Sequence, residues 1–180
     1  MRVIFDHPFR FAISFFLIIF WLMFLYMTSH TTDYYLYRIA KEVTPGEIIS
    51  WRNEASKLIL KGWSHAEIDF RWSQNRQVEI CFKPDKTLFR QLDFNRELTV
   101  TFEIAPIPEL ERKEVQFSLS PNGATGSAII ACGRSIYAIS SQFETIPDIV
   151  CLKIILPFTS QGSLGEDRQL GIMLYSVAFK

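Results

Sequence analysis

Histidine limits the chemistry that this chain can perform. Its three histidines are His7, His30 and His65, and only His65 lies well beyond the apolar N-terminal segment. A two-histidine metal site therefore cannot form in the C-terminal part, and a Ser–His or Cys–His pair has a single candidate base. The sequence also lacks G-x-S-x-G, G-x-G-x-x-G and P-loop motifs. We therefore predict a protein that is not an enzyme and needs no metal or cofactor.

Three cysteines, Cys81, Cys132 and Cys151, lie far apart in the sequence. They form no C-x-x-C motif, so a zinc ribbon or a thioredoxin-like site has no support. An odd number allows at most one intrachain disulfide, and Cys81 with Cys132 is the pair considered for an oxidising compartment. The favoured alternative is three small, half-buried side chains in strands.

Two clusters combine aromatic and charged side chains. Residues 62–73 read GWSHAEIDFRWS, and residues 156–171 contain LPFTS and EDRQLG. In a binding interpretation, indole rings stack on a sugar and charged groups bond its hydroxyls. In a structural interpretation, the indoles fill the core and a charged pair fixes a loop. The candidate glycan-binding residues are Trp63, Glu67, Arg71, Trp72, Asp167 and Arg168.

An apolar segment at the N-terminus predicts a membrane anchor over residues 11–30. Residues 11–27 are apolar except for Ser14, and no charged residue interrupts them. Crossing a bilayer takes about 20 such residues. A cleaved signal peptide has an apolar region of about 7–15 residues followed by small residues. Because this segment is longer and bulky to its end, a retained anchor is favoured.

The flanking charges predict the orientation of the anchor. Arg2 and Arg10 precede it, and no Lys or Arg follows until Arg38. By the positive-inside rule, residues 1–10 are cytoplasmic and the C-terminal domain is outside. The absence of an N-x-[ST] acceptor fits a bacterial protein, with the anchor in the inner membrane and the domain in the periplasm. A formal net charge of zero gives no support to nucleic-acid binding.

Alternation with period two dominates the sequence after a connector at residues 31–45. Apolar residues alternate with polar ones in five runs, each bounded by Pro, Gly, Asn or Asp. Short helical stretches are expected only within 85–95 and 142–146, and Asn122-Gly123 predicts a hairpin turn. About seven to nine strands without intervening helices predict an all-β fold, an antiparallel β-sandwich of jelly-roll type over residues 46–180. The five runs are 78–82, 98–104, 115–119, 150–156 and 172–179.

The order of motifs in residues 46–180 resembles a β-sandwich module of bacterial envelope glycoconjugate proteins. That module often lies at the extracytoplasmic end of membrane-bound sugar or phosphoglycerol transferases and is described as carbohydrate-binding-like or galactose-binding-like. The resemblance implies the fold and a surface-glycan setting. It does not carry over catalysis, because this chain has one predicted span and no room for a transferase domain. The matching positions are Gly62, Trp63, Ser64, Glu67, Arg71, Trp72, Asn122, Gly123, Pro157, Ser160, Asp167, Arg168, Leu170 and Gly171.

Three functions follow from these features. The first is a membrane-anchored, non-catalytic glycan-binding or accessory module in cell-envelope polysaccharide or lipopolysaccharide biosynthesis or modification. Its expected partners are the lipid bilayer, an envelope glycan and a membrane-bound glycosyltransferase. The second is an interaction scaffold that docks onto a membrane transferase or export complex. The third is an envelope hydrolase or esterase, which would need His65 or a carboxylate as its base.

Overall fold

The chain divides into two units, Met1–Ile39 and Ala40–Lys180. In the first unit, residues 14–26 form a helix whose side chains are exposed. Within the described part of the chain, no helix has the length and apolar character needed to cross a membrane. Both ends of the predicted anchor, 11–13 and 27–30, lie outside that part, so the anchor stays a prediction. The computed structural model describes residues 14–26, 41–50, 57–92, 95–121, 123–161 and 169–180.

The second unit is built of short and long β-strands. In the described part of this unit, 3₁₀ turns at Lys86–Leu88 and Pro108–Leu110 interrupt them. The strands are β1 Glu42–Val43, β2 Ile48–Ser50, β3 Leu58–Lys61, β4 Arg71–Trp72, β5 Gln77–Pro84, β6 Arg90–Leu92, β7 Asn95–Pro106, β8 Glu114–Ser120, β9 Thr125–Ile129, β10 Ser135–Phe143, β11 Val150–Ile155, β12 Ser160–Gln161, β13 Gln169–Leu170 and β14 Ile172–Phe179.

These strands form two six-stranded sheets and one small pair. Sheet 1 has the order β1-β5-β11-β8-β9, with β3 also beside β5. Sheet 2 has the order β10-β7-β14-β2, with β4 beside β14 and β6 beside β7. Among the described strands, β1 pairs with β5 in parallel and the other pairs are antiparallel. The predicted β-sandwich is confirmed, with this one parallel exception, while its jelly-roll connectivity stays a prediction.

The core lies between the two sheets. Phe82 of sheet 1 and Phe179 of sheet 2 have ring centroids 4.5 Å apart, and Phe102 and Phe117 meet across the sheets at 5.1 Å. Strands β5, β7, β8, β11 and β14 contain the five predicted runs, and their alternate apolar residues are buried. The period-two pattern therefore predicted the buried faces of β5, β7, β8 and β11. In β14 strict alternation fails after Leu174, because the register shifts there and Val177 and Phe179 face the core.

The cysteine predictions were wrong in their pairing. The disulfide joins Cys81 and Cys151, which are directly opposite each other in β5 and β11 with Cα atoms 4.0 Å apart. Cys132 is free and exposed, in the turn before β10. Register decides the pairing, because adjacent antiparallel strands bring opposed side chains within bonding distance. The alternative interpretation, three half-buried cysteines in strands, is also wrong. Cys81 and Cys151 are bonded to each other, and Cys132 is exposed outside the strands.

The two predicted helical stretches have different outcomes. The described residues of 85–95 contain one 3₁₀ turn, and the Thr87 amide donates to Asp85 Oδ1 at 2.8 Å to cap it. The stretch 142–146 is not helical, because β10 continues through Phe143. The Phe143 side chain is buried against Phe89, which extended backbone allows. The expected hairpin joins β8 to β9, and Asn122 lies outside the described residues.

Candidate functional site

The first sequence cluster forms a hairpin between Gly62 and Ser73. Gly62 has a φ of +79°, which favours glycine. The Ser64 amide donates to the Trp72 carbonyl at 2.8 Å, and the Trp72 amide donates to Ser64 Oγ at 3.0 Å. Arg71 Nη1 donates to the Ser64 carbonyl at 2.8 Å. Ser64 thus joins the two arms, and the turn at residues 65–69 is exposed to solvent.

Trp63 lies in the core. Its exposed fraction is 8%, and its indole Nε1 donates to the Glu79 carbonyl at 3.1 Å. Ser73 pairs with it across the hairpin, and Ser73 Oγ accepts a hydrogen bond from the Ile172 amide at 2.8 Å. The ring therefore offers no open face to a ligand, and its position fits the structural interpretation.

Glu67 and Arg71 belong to the same hairpin but differ in environment. Glu67 is exposed in the turn, where its amide donates to the Phe70 carbonyl at 2.9 Å. Arg71 is half-buried, and desolvation lowers the pKa of its guanidinium. Arg71 is therefore a residue that holds the hairpin closed. Asp167 and Arg168 lie outside the described residues, so their predicted binding role stays a prediction.

Trp72 lies on the outer face of sheet 2. It is opposite Met173 in β14, and the neighbours of Met173, Ile172 and Leu174, are fully buried. Because side chains alternate along a strand, Met173 and Trp72 lie on the outer side of the sheet, although Trp72 also packs against the edge of the core. The register shifts between Leu174 and Ser176, so the intervening Tyr175 is also half-buried on this side.

Three partly exposed rings meet there, and we call Phe70, Trp72 and Tyr175 the aromatic patch. Phe70 contacts Trp72 edge-on at a centroid distance of 5.5 Å and Tyr175 at 5.6 Å. The hairpin supplies Phe70 and Trp72, while the bulge in β14 supplies Tyr175. Such contacts fix the ring orientations, which is what a preformed binding surface needs.

A carboxylate–guanidinium pair borders the aromatic patch. Arg134 donates through Nε to Glu103 Oε1 at 2.5 Å and through Nη2 to Oε2 at 2.9 Å. Ser176 Oγ donates to Glu103 Oε2 at 3.1 Å. The Arg134 Cζ atom lies 4.1 Å from the ring centroid of Tyr175, a cation–π geometry. The pair therefore adds a charged edge to the aromatic patch, and Arg134 covers one face of the Tyr175 ring.

Each member of the pair shifts the pKa of the other. Hydrogen bonds from Arg134, and then from Ser176, lower the pKa of the Glu103 carboxyl despite its partial desolvation. The hydrogen bond to Glu103 raises the pKa of Arg134, and the charge of Asp69 adds to that effect. Both groups therefore stay charged around neutral pH. Sequence reasoning missed them, because they lie 31 residues apart and carry no local motif.

A second region, on the outer face of sheet 1, is a shallow groove of about 490 Å³. Its lining includes three hydroxyl side chains, one amide, one carboxylate and two apolar side chains. No group of three or more metal-ligating side chains occurs among the residues the structure describes. The groove is lined by Glu114, Gln116, Phe117, Ser118, Thr125, Gly126, Ser127 and Ile155.

Comparisons with known proteins give distant structural likenesses. The chain is similar to a β-(1,4)-mannanase of Podospora anserina described as GH26-CBM35, with 12% identity, a TM-score of 0.43, and coverage of 76% of this chain and 28% of that one. A CBM4 structure has 8% identity, a TM-score of 0.40 and coverage of 79% and 92%. A family 35 carbohydrate binding module from Clostridium thermocellum has 8% identity, a TM-score of 0.37 and coverage of 73% and 97%. No family model matches the chain, and no curated protein matches it. At these TM-scores, no ligand and no residue role is carried over.

Proposed function

We propose that this protein is a non-catalytic glycan-binding module and that the aromatic patch, with the Glu103–Arg134 pair, is its binding surface. The observation that carries the proposal is the position of three partly exposed rings beside a hydrogen-bonded carboxylate and guanidinium. A pyranose has apolar C–H faces and a rim of hydroxyls. It therefore suits a surface that is apolar in its centre and polar at one edge.

The Glu103–Arg134 pair has hydrogen-bonding capacity beyond its internal bonds. Two N–H groups of Arg134 reach Glu103, and the guanidinium has further donors. A carboxylate oxygen has two lone pairs, and Glu103 Oε1 accepts the Arg134 Nε–H. The Arg134 side chain is 55% exposed and that of Glu103 21%. One sugar can therefore stack on a ring while its hydroxyls donate to the carboxylate and accept from the guanidinium.

The disulfide supports an extracytoplasmic position for this domain. Structural disulfides form and persist in oxidising compartments and are rare in the cytosol of mesophiles. Cys81 and Cys151 join the two central strands of sheet 1. Together with the sequence-based anchor over residues 11–30, this favours a domain held outside the bacterial inner membrane. The envelope polysaccharide or lipopolysaccharide setting rests on the sequence resemblance.

The test is glycan binding by the full chain purified in mild detergent. We expect binding to an envelope oligosaccharide from a glycan array, with affinity measured by calorimetry. Trp72→Ala should weaken it about tenfold or more, as truncating a buried aromatic contact does. The matched control is Ile129→Ala, which removes an exposed side chain in β9 of sheet 1. Unchanged affinity in folded Trp72→Ala protein would contradict the proposal.

A second candidate, a scaffold that docks onto a membrane transferase, is favoured by two exposed isoleucines. Ile68 in the hairpin turn is 81% exposed and Ile136 in β10 is 71% exposed. Exposed aliphatic side chains suit protein contacts. Co-purification in mild detergent distinguishes the two candidates. A stoichiometric partner that is lost in Ile68→Glu protein, together with no glycan affinity, would favour the scaffold.

A further inference from the structure

We propose that the glycan bound at the aromatic patch is uncharged, and that the site discriminates against glycans carrying carboxylate, phosphate or sulfate groups. This inference rests on the proposed function. It follows from how the charged side chains around the patch are already engaged.

Among the described residues, the arginine that borders the patch, Arg134, is engaged by a group of the protein through its two hydrogen bonds to Glu103. Arg71 is opposite the buried Leu174, on the other face of the hairpin from Trp72, and its Nη1 donates to the Ser64 carbonyl. An anionic ligand would either draw Arg134 away from Glu103 or bond the remaining donors of Arg134 while it lies beside the Glu103 carboxylate. Both arrangements place a second negative charge next to that of Glu103, which is unfavourable.

Further carboxylates lie in the hairpin turn. Asp69 interacts with Arg134 through its charge, and Glu67 lies two residues earlier in the same turn. Both residues are exposed, so they add negative potential to the approach that a ligand takes toward Phe70 and Trp72. Repulsion between these carboxylates and an anionic glycan therefore acts against the anionic ligand without strengthening the binding of a neutral one.

A neutral sugar avoids both costs. Its hydroxyls donate to Glu103 and accept from Arg134, so the pair can stay intact while both members contribute a hydrogen bond. A charge-assisted bond of this kind is stronger than one between neutral groups. The pair therefore acts as a combined donor and acceptor for hydroxyls rather than as a receptor for anions.

The test compares a neutral glucan oligosaccharide with a matched oligosaccharide of the same linkage in which one glucose is replaced by glucuronate. Full-chain protein in mild detergent should bind the neutral probe about fivefold more tightly, the effect of one exposed charge pair. This preference should fall with added salt, because exposed charges are screened. Equal or tighter binding of the glucuronate probe overturns this inference alone. Absence of binding to both probes, and to the array, contradicts the proposed function itself.

Variants locate the source of the preference. Glu103→Gln frees Arg134 and should reduce or reverse the preference for the neutral probe. Glu97→Gln, on the same strand and the same face but six residues away, should leave it unchanged. Asp69→Asn in the exposed turn should also reduce it, which tests the idea if Glu103→Gln fails to fold. A preference that stays the same in both folded variants would overturn the inference.

Discussion

The outer faces of the two sheets engage their side chains differently. On sheet 1 the polar groups bond to one another: Lys153 lies 3.8 Å from Glu79, Gln77 donates to Glu79 at 3.3 Å, and the disulfide joins the neighbouring strands. On sheet 2 the aromatic patch leaves parts of three rings in solvent beside the Glu103–Arg134 pair. The first face combines these paired polar groups with the exposed Ile129, whereas the second face has three adjoining aromatic rings with surface still to bury.

This difference shows why a groove alone does not identify a binding site. Side chains that hydrogen-bond either to one another or to water gain little from a polar ligand, because one hydrogen bond replaces another. Covering apolar area gains about 25 cal/mol per Å². The patch on sheet 2 therefore has more free energy to offer a glycan than the groove on sheet 1.

The largest expected effect is a loss of stability when the disulfide of sheet 1 is removed. Replacing both Cys81 and Cys151 by alanine should lower the free energy of unfolding by about 4 kcal/mol, because the disulfide closes a long loop in the unfolded chain. Tryptophan fluorescence during urea denaturation measures this. Cys132→Ser is the matched control and should change nothing, since that thiol is free and exposed. A double variant as stable as the wild type would contradict a structural role for this face.

A smaller effect is expected for the glycine that precedes β14. A Cβ atom on Gly171 would approach Ser73 Oγ and Leu156 Cδ1 to 2.5 Å, so Gly171→Ala should destabilise the domain by about 2 kcal/mol. It should also displace Met173 and Trp72 and so weaken glycan binding. Gly126→Ala on sheet 1, where nothing lies within 4 Å, should stay within about 0.5 kcal/mol. Thermal unfolding of both variants checks the contrast, and equal melting temperatures would contradict it.

The Glu103–Arg134 pair should make a small, pH-dependent contribution to stability. Because its partners lower the pKa of Glu103 in the folded state, the stabilisation is present above the unfolded pKa. It is lost as pH falls through the folded pKa. The Arg134 side chain is 55% exposed, so solvent screens the pair and the effect should be below about 1 kcal/mol. Comparing wild type with Glu103→Gln from pH 7 to pH 3 measures it, and an advantage for the wild type that grows toward low pH would contradict the assignment.

The smallest expected effect concerns the groove on sheet 1. Gln116→Ala and Ser127→Ala remove side chains that line it, and both should change stability by less than about 0.5 kcal/mol. Calorimetric affinity for the glycan should also stay unchanged. A tenfold loss of affinity in either folded variant would contradict this prediction and place the binding site on sheet 1 instead.

Regular alternation made the long strands predictable, and departures from it hid the rest. Strand β10 was missed because Ser141 lies on its buried face, where it accepts a hydrogen bond from the Ala124 amide. Strand β4 has two residues, too few to show a period. The disulfide depended on the register between β5 and β11, which distant side chains determine.

The candidate site was only partly predictable for a related reason. Trp63 and Trp72 lie nine residues apart in one motif, yet the first is in the core and the second is on the outer face. The hairpin register sets this difference, because Trp63 is opposite Ser73 and the neighbouring Trp72 points to the other side of the strand. Glu103 and Arg134 meet only because β7, β10 and the preceding turn fold together. Residue type predicted the chemistry of the hairpin, but only tertiary structure showed which side chains share a surface.

Nuclear magnetic resonance of the full chain in detergent micelles, titrated with a neutral oligosaccharide, tests the central claim most directly. The indole N–H of Trp72 and the backbone amides of Tyr175 and Arg134 should shift in a saturable manner, while the indole N–H of Trp63, bonded to Glu79, should not. Saturable shifts confined to Gln116 and Ser127, with Trp72 unmoved, would contradict the account.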